Sequence, residues 1–176
     1  MQDEFGITAN VWSVTSFNEL TRDGMACDDY NRLHPTADQK TPWVTSQLAS
    51  HKGIVVAATD YMRNYSEQIR GWLPDSRPYV TLGTDGFGRS DSRAKLRSFF
   101  NVNAEHIVVA TLKKLADEGD IDVRLVQDAI NSFDIDADQA PAWQRQPQYD
   151  FFPDAPAPKA TREPNPVPEL VEDDNH

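Results

Sequence analysis

GIVVAATDY, residues 53–61, decides the architecture: Ile54, Val55, Val56, Ala57 and Ala58 form an unbroken apolar run bounded by Gly53 and by the polar Thr59-Asp60 pair. A run of five small or β-branched residues without polar alternation suits a parallel strand covered on both faces. Downstream, Asp60 is placed to cap a helix in which Tyr61, Tyr65, Ile69 and Leu73 share one face, with Pro74 as its stop. PYVTLGTDGFG (residues 78–88) then reads as another strand running into a glycine-rich loop. SDSRAKLRSFF restarts a helix with Ser90, Asp91 or Ser92 as its cap. Ile107, Ala110, Leu112 and Leu115, with Gly119 just beyond, predict a further helix, and a last one covers residues 123–133. Upstream, NVWSVTSF (residues 10–17) reads as a buried strand. A polar helix follows from Leu20 to Leu33 and stops at His34-Pro35, and TPWVTSQLAS forms a short helix with Pro42 suited to its first turn. Strands alternating with helices predict an α/β fold, a mainly parallel sheet with helices on both faces.

The chain of 176 residues is the size of one domain plus a tail, with 39% hydrophobic and 26% charged residues, inside the globular range. Composition changes at Pro141: from there to His176 lie eight of the twelve prolines and seven acids against three bases. The expected partition is a lead-in over residues 1–9, the α/β domain over residues 10–140, and a largely disordered, acidic, proline-rich tail over residues 141–176. The tail opens with WQRQPQYDFF, in which Trp143, Tyr149, Phe151 and Phe152 are able to fold back onto the domain surface.

A net charge of −11 opposes a phosphate backbone, so nucleic acid and anionic membrane are poor partners. No apolar run is long enough to span a bilayer, and the first residues have neither a basic nor an apolar leader region. A single cysteine, Cys27, excludes an internal disulfide and fits a reducing cytoplasm.

Ligands of open parallel sheets bind beyond the carboxyl ends of the strands. The richest segment meeting that condition is GTDGFGRSDSR, residues 83–93. Gly83, Gly86 and Gly88 permit close backbone approach, Asp85, Ser90 and Ser92 supply polar groups, and Arg89 and Arg93 are candidate clamps for a phosphate or carboxylate at a helix amino terminus. The structural alternative is a tight strand-to-helix turn whose Asp85 and Ser92 satisfy local amides. The spacing matches neither G-x-G-x-x-G nor the P-loop. His34, His51, His106 and His176 are scattered without metal-ligand spacing, and Cys27 has no C-x-x-C partner. No G-x-S-x-G elbow is present. Asp28, Asp29, Asp117, Glu118, Asp120 and Asp122 read as solvated helix ends and turns, and Trp12, Trp43 and Trp72 as core or interface aromatics. No complete active site is visible, and a free-standing small α/β enzyme lacks any nucleophile or metal constellation.

As a set, VWSVTSFNELTRDG, LHP, ATDYMRNYSEQIRGWLP, LGTDGFGRSDSRAKLRSFFNVN, HIVVATLKKLADEGDID and AINSFDID resemble, in order, the final domain of the homodimeric bacterial pyruvate dehydrogenase family. The resemblance runs from about residue 10 to residue 138, and residues 83–93 are its most specific part. It implies a transketolase-type carboxy-terminal fold, with a mixed, mainly parallel sheet of about five strands between helices. It also implies an intact enzyme that decarboxylates pyruvate on thiamine diphosphate with Mg2+ and passes the acetyl group to a lipoyl group on the dihydrolipoamide acetyltransferase core. In that family the cofactor lies between the amino-terminal and middle domains of opposite subunits, held by a GDG motif and a downstream asparagine. Here Thr84-Asp85-Gly86 with Asn101 imitates the motif only superficially: the leading glycine is absent and the asparagine comes too soon.

No catalytic, cofactor-binding or metal residue is therefore carried over, and the chain alone is expected to be inactive. Its expected partners are the amino-terminal and middle domains, the second subunit and the acetyltransferase. The competing reading is an interaction or regulatory module that binds an anion or a partner of the complex at residues 83–93.

Overall fold

The computed structural model describes Met1–Arg145; the expectations for the tail beyond Arg145, including Tyr149, Phe151 and Phe152, lie outside the described residues. The elements are α1 (Gln2–Phe5), α2 (Phe17–Leu33), α3 (Trp43–Leu48), β1 (Val55–Met62), α4 (Arg63–Glu67), β2 (Tyr79–Thr84), α5 (Arg93–Phe99), α6 (Ala104–Asp117) and α7 (Val123–Ser132). Short 3-10 turns occupy Arg70–Trp72, Pro74–Ser76 and Ala142–Gln144.

β1 and β2 pair in parallel, with Val55 opposite Tyr79, Val56 opposite Val80, Ala57 opposite Thr81 and Ala58 opposite Leu82. The register then slips, so that Met62 pairs with Thr84 and β1 carries extra residues at its carboxyl end. Side chains alternate across a sheet, so Val55, Ala57, Tyr79 and Thr81 share one face. That face belongs to a core of Val44, Ile69, Leu73 and Tyr79, surrounded by Phe17, Leu20, Leu48 and Trp72. α4 packs against both strands, and so does α6.

The connection from α4 to the sheet is polar as well as apolar. The buried Tyr79 hydroxyl donates to the Ser66 carbonyl at 2.7 Å. The Arg70 guanidinium makes two hydrogen bonds to Glu67, at 2.7 and 2.8 Å, and lies over the Tyr79 ring. The Thr81 hydroxyl donates to the same Glu67 carboxylate. The Arg70 hydrogen bond holds the Glu67 carboxyl below its ordinary pKa against the opposing effect of burial.

A second core joins α6 to α7. Leu112 and Ala129 are fully enclosed there, with Val126 beside them and Phe5, Ile7, Val108 and Phe133 around the rim. Asn103 and Asp122 cap the two helices by accepting from His106 N at 3.3 Å and Arg124 N at 2.8 Å. Gly119, at φ +83°, takes the left-handed position just after α6. Enclosing a leucine as completely as Leu112 contributes about 2 kcal/mol.

The α/β class and the parallel strand pair follow the sequence expectation, but the described residues form a two-stranded sheet rather than one of about five strands. The main difference is residues 10–17: residues 10–16 are irregular, residues 10–15 are exposed, with Val11 93% accessible, and Phe17 already begins α2. A strand needs a neighbour for its amides and carbonyls, and no described strand lies beside this segment. Ser16 instead caps α2, accepting from Glu19 N at 3.2 Å. Asp60 is not a helix cap: it lies within β1, and Met62 precedes α4 without a side-chain cap. The expected four-residue helical face is also divided. Tyr61 belongs to β1, α4 ends at Glu67, and Ile69 and Leu73 reach the core from turns around Arg70–Trp72.

α2 is held to this turn by an aromatic contact. The Trp72 indole covers Gly24 so closely that a Cβ there would come within 2.4 Å of the ring. Its Nε1 donates to Asp28 at 2.8 Å. Gly24→Ala is therefore expected to displace Trp72 and to destabilise the chain by about 1–3 kcal/mol, even though alanine is the better helix former. The check is a lower urea midpoint at unchanged slope, together with altered Trp72 fluorescence; an unshifted midpoint would show that the indole moves aside freely.

Candidate functional site

The segment singled out in the sequence is the connection from β2 into α5, at the carboxyl ends of both strands. Gly83 sits where the β1 register slips. A Cβ on it would lie 2.6 Å from the Arg63 backbone nitrogen and Cα, and 2.9 Å from the Tyr61 carbonyl oxygen. Backbone atoms cannot swing away as a side chain can, so this position requires glycine. The consequence is that the start of α4 is pressed against the end of β2.

Beyond Gly83, Asp85 pairs with Arg63 at 3.2 Å rather than with local amides. Gly86 takes φ +85°, and its Cα faces Trp143, whose Cβ would lie 2.9 Å from an added Cβ. Phe87 is 90% accessible, and Gly88 and Ser90 are exposed. Ser92 caps α5, accepting from Lys95 N at 3.4 Å, while Asp91 accepts from Ser92 N at 2.6 Å.

The two candidate clamps go to different places. Arg93 lies 3.7 Å from Asp60, the carboxylate that also accepts two hydrogen bonds from Arg97, at 2.9 Å each. The Arg97 hydrogen bonds hold the Asp60 carboxyl below its ordinary pKa. Arg89 instead donates from Nη2 to the Arg145 carbonyl at 2.9 Å and stacks over Phe99, 4.8 Å from the ring centroid. Arg145 closes this corner by donating to Phe99 O at 2.7 Å, Asn101 Oδ1 at 3.2 Å and Ala140 O. Burial lowers the Arg145 pKa from its ordinary value.

An open cavity of about 290 Å³ lies between this loop and the Pro141–Trp143 stretch, lined by Arg63, Thr81, Asp85, Asn101, Gln139 and Trp143 among others. The residues here do not fit a thiamine diphosphate and metal cradle. Asp85, the nearest imitation of a metal-binding aspartate, is held by Arg63, and the Asn101 amide oxygen accepts from Arg145. Such a cradle needs carboxylate and carbonyl oxygens converging on one cation. Here the convergent groups are guanidiniums.

Sequence reasoning found Gly83, Asp85, Gly86, Arg89, Ser92 and Arg93 and read Asp60 as a helix cap, but missed Arg63, Arg97, Phe99 and Arg145, which complete the corner. Arg145 carried one signal: it is among three bases in a stretch with seven acids. Asp60 carried another, as a carboxylate closing an apolar strand.

This βα layer with a glycine-and-arginine turn has the organisation of a carboxy-terminal domain of the transketolase class. Residues 1–103 match the family described as the Transketolase-like TK C-terminal domain, and the chain belongs to that family. Among curated proteins it is similar to the pyruvate dehydrogenase E1 component of Pseudomonas aeruginosa, at 52% identity over 139 residues, 79% of this chain and 16% of that protein. It is also similar to the E1 components of Escherichia coli K12, at 47% over 136 residues, and of Buchnera aphidicola from Acyrthosiphon pisum, at 50% over 136 residues; each match covers 77% of this chain and 15% of the relative. The chain thus spans about one sixth of the length of the relatives it matches.

Because the Asp60 pKa is depressed in the folded chain, its contribution to stability is fully present above the unfolded-state value and is lost as pH falls through the folded one. Asp60→Asn is expected to cost at most about 1 kcal/mol at neutral pH, since the pair is partly exposed. The variant should also flatten the fall in stability as pH drops below the ordinary aspartate value of about 4. Urea unfolding of both proteins across that range reads the effect, and parallel pH profiles would remove Asp60 from this role.

Proposed function

We propose that this chain is the carboxy-terminal packing domain of a pyruvate dehydrogenase E1 component, and that it turns over no substrate unaided. The observation that carries this reading is the combination of 47–52% identity over about three quarters of the chain with coverage of only 15–16% of each relative. The donor set points the same way, because the residues at the strand ends are committed to arginine pairs and do not fit the cofactor.

In the intact enzyme, thiamine diphosphate with Mg2+ supplies the carbanion chemistry that decarboxylates pyruvate. Those groups belong to the amino-terminal and middle domains. The acetyl group then goes to the lipoyl group of the dihydrolipoamide acetyltransferase core. In this reading the domain's partners are those two domains of its own enzyme, the second subunit of a homodimer and the acetyltransferase. The site of action is the cytoplasm; no helix among the described residues is long and apolar enough to cross a membrane.

The exposed apolar side chains support a packing role. Val11, Trp12 and Val14 stand on an unpaired segment, and Tyr61, Met62 and Phe87 stand at the strand ends. Apolar groups left uncovered in this way mark surfaces that another element completes.

Calorimetry tests the reading directly. Titrating thiamine diphosphate with Mg2+ into this chain is expected to give no saturable heat, whereas the same titration into the intact enzyme gives a binding isotherm. Tight binding to the chain alone would overturn the assignment of the cofactor to other domains.

A further inference from the structure

We infer that Arg89, Arg145 and Phe99 form a binding site for a single oxyanion, a phosphate or a carboxylate group. This inference goes beyond the packing role proposed above and does not depend on it. Both guanidiniums lie over the same ring, at 4.8 and 5.4 Å from the Phe99 centroid. Among the described residues, every acceptor they meet is neutral: the carbonyls of Arg145, Phe99 and Ala140 and the Asn101 amide oxygen.

The neighbouring arginines are treated differently. Arg63, Arg70 and Arg97 each meet a carboxylate, of Asp85, Glu67 and Asp60 respectively. Among the described residues, neither Arg89 nor Arg145 has a carboxylate within ion-pair distance, in a protein whose net charge is −11. Two like charges on one ring repel, and acidic side chains are plentiful in the sequence to relieve them. The arrangement therefore leaves a counter-charge outstanding.

A second observation is independent of the first. Arg89 Nε is buried and has no hydrogen-bond partner. A buried guanidinium N–H without an acceptor is costly and rare. Its natural complement is an oxygen of a planar or tetrahedral anion, which accepts from the Nε and Nη edge of one guanidinium and from a second guanidinium beside it. Both residues are half-buried, but the Arg89 Nε itself is enclosed, so an oxyanion that takes this edge displaces the atoms that cover it. Arg93 does not belong to this site, because it is turned to Asp60.

His106 supplies a reporter. Its pKa is lowered first by burial and next by the charge of Arg145, with Glu105 opposing. The charge of Asp136 acts on Arg145, and Asp134 and Asp136 line the cavity that His106 shares with Glu105. An oxyanion that neutralises Arg145 raises the His106 pKa.

The test is NMR on the full chain at low salt, titrating inorganic phosphate and, separately, acetate while following the arginine Nε–H signals and the His106 ring. Saturable shifts of Arg89 and Arg145 are expected, with a dissociation constant on the order of 1 mM and a rise in the His106 pKa at saturation. Arg89→Gln and Arg145→Gln should each weaken binding at least tenfold, and Arg93→Gln should leave it unchanged. Arg145→Lys guards against loss of the local fold: with Trp143 fluorescence unaltered, it keeps the charge but not the planar fork, and binding should still weaken. Response to phosphate alone assigns a phosphoryl group, response to acetate alone a carboxylate, and response to both a general oxyanion site. Saturation by neither, an Arg93→Gln loss equal to the others, or full binding by Arg145→Lys would overturn the inference.

Discussion

At the carboxyl ends of the two strands, the backbone of residue 83 lies against the backbone of residues 61–63, and no side chain fits between them. That approach makes several other contacts possible. It lets β1 absorb its extra residues without leaving the sheet, and it sets α4 against β2, where Glu67 reaches Thr81 and Tyr79 reaches Ser66. It also turns the chain after Thr84 toward α5, so that Asp85 meets Arg63. A two-stranded sheet is marginal on its own. Here α4 and α6 pack against it, and the buried Tyr79 contact and the strand-end glycine fix how closely α4 sits.

Charge at this corner is partitioned rather than pooled. Asp60 on β1 is shared by Arg97 and Arg93, and Asp85 in the loop is paired with Arg63. Among the described residues, Arg89 and Arg145 meet neutral oxygens and an aromatic face, and the Arg89 Nε is left without an acceptor. The partly exposed pairs contribute little energy each, and their main effect is positional, tying the end of β1 to α5. The Arg145 contacts have a comparable effect at the carboxyl end of α5, at Phe99 and Asn101, and the Pro141–Trp143 stretch lies beside Gly86. Guanidiniums, not carboxylates, converge at the strand ends, which is why this corner suits an anion better than a metal.

The contrast between the two cores explains why this domain reads as part of something larger. The α6–α7 pair encloses Leu112 and Ala129 completely. The sheet side encloses Val44, Ile69, Leu73 and Tyr79 but leaves Val11, Trp12 and Val14 on a segment without a strand partner. Membership in the transketolase-like carboxy-terminal family, over about one sixth of the length of pyruvate dehydrogenase E1 relatives, accords with a module that completes its surfaces against other parts of a protein.

Local patterns were sufficient for β1, β2 and the four longer helices, because their signals act over a few residues: an apolar run, a 3.6-residue period, a capping serine, a glycine after the last turn. They were also sufficient for the family, through the unusual string at residues 83–93 and its companions. Residues 10–17 differ from the strand expectation because the run has strand composition, whereas a strand exists only where a neighbour offers hydrogen bonds, and that depends on residues distant in the sequence. Asp60 was misread for a similar reason. Its sequence position allows a cap, but folding brought Arg97 to it across 37 residues. The hydrogen-bond acceptor of Arg89 lies 56 residues away at Arg145, so no spacing rule could have separated it from Arg93. Periodicity and turn chemistry are encoded locally; which carboxylate meets which guanidinium follows from packing, because charges pair by distance in space and not by order along the chain.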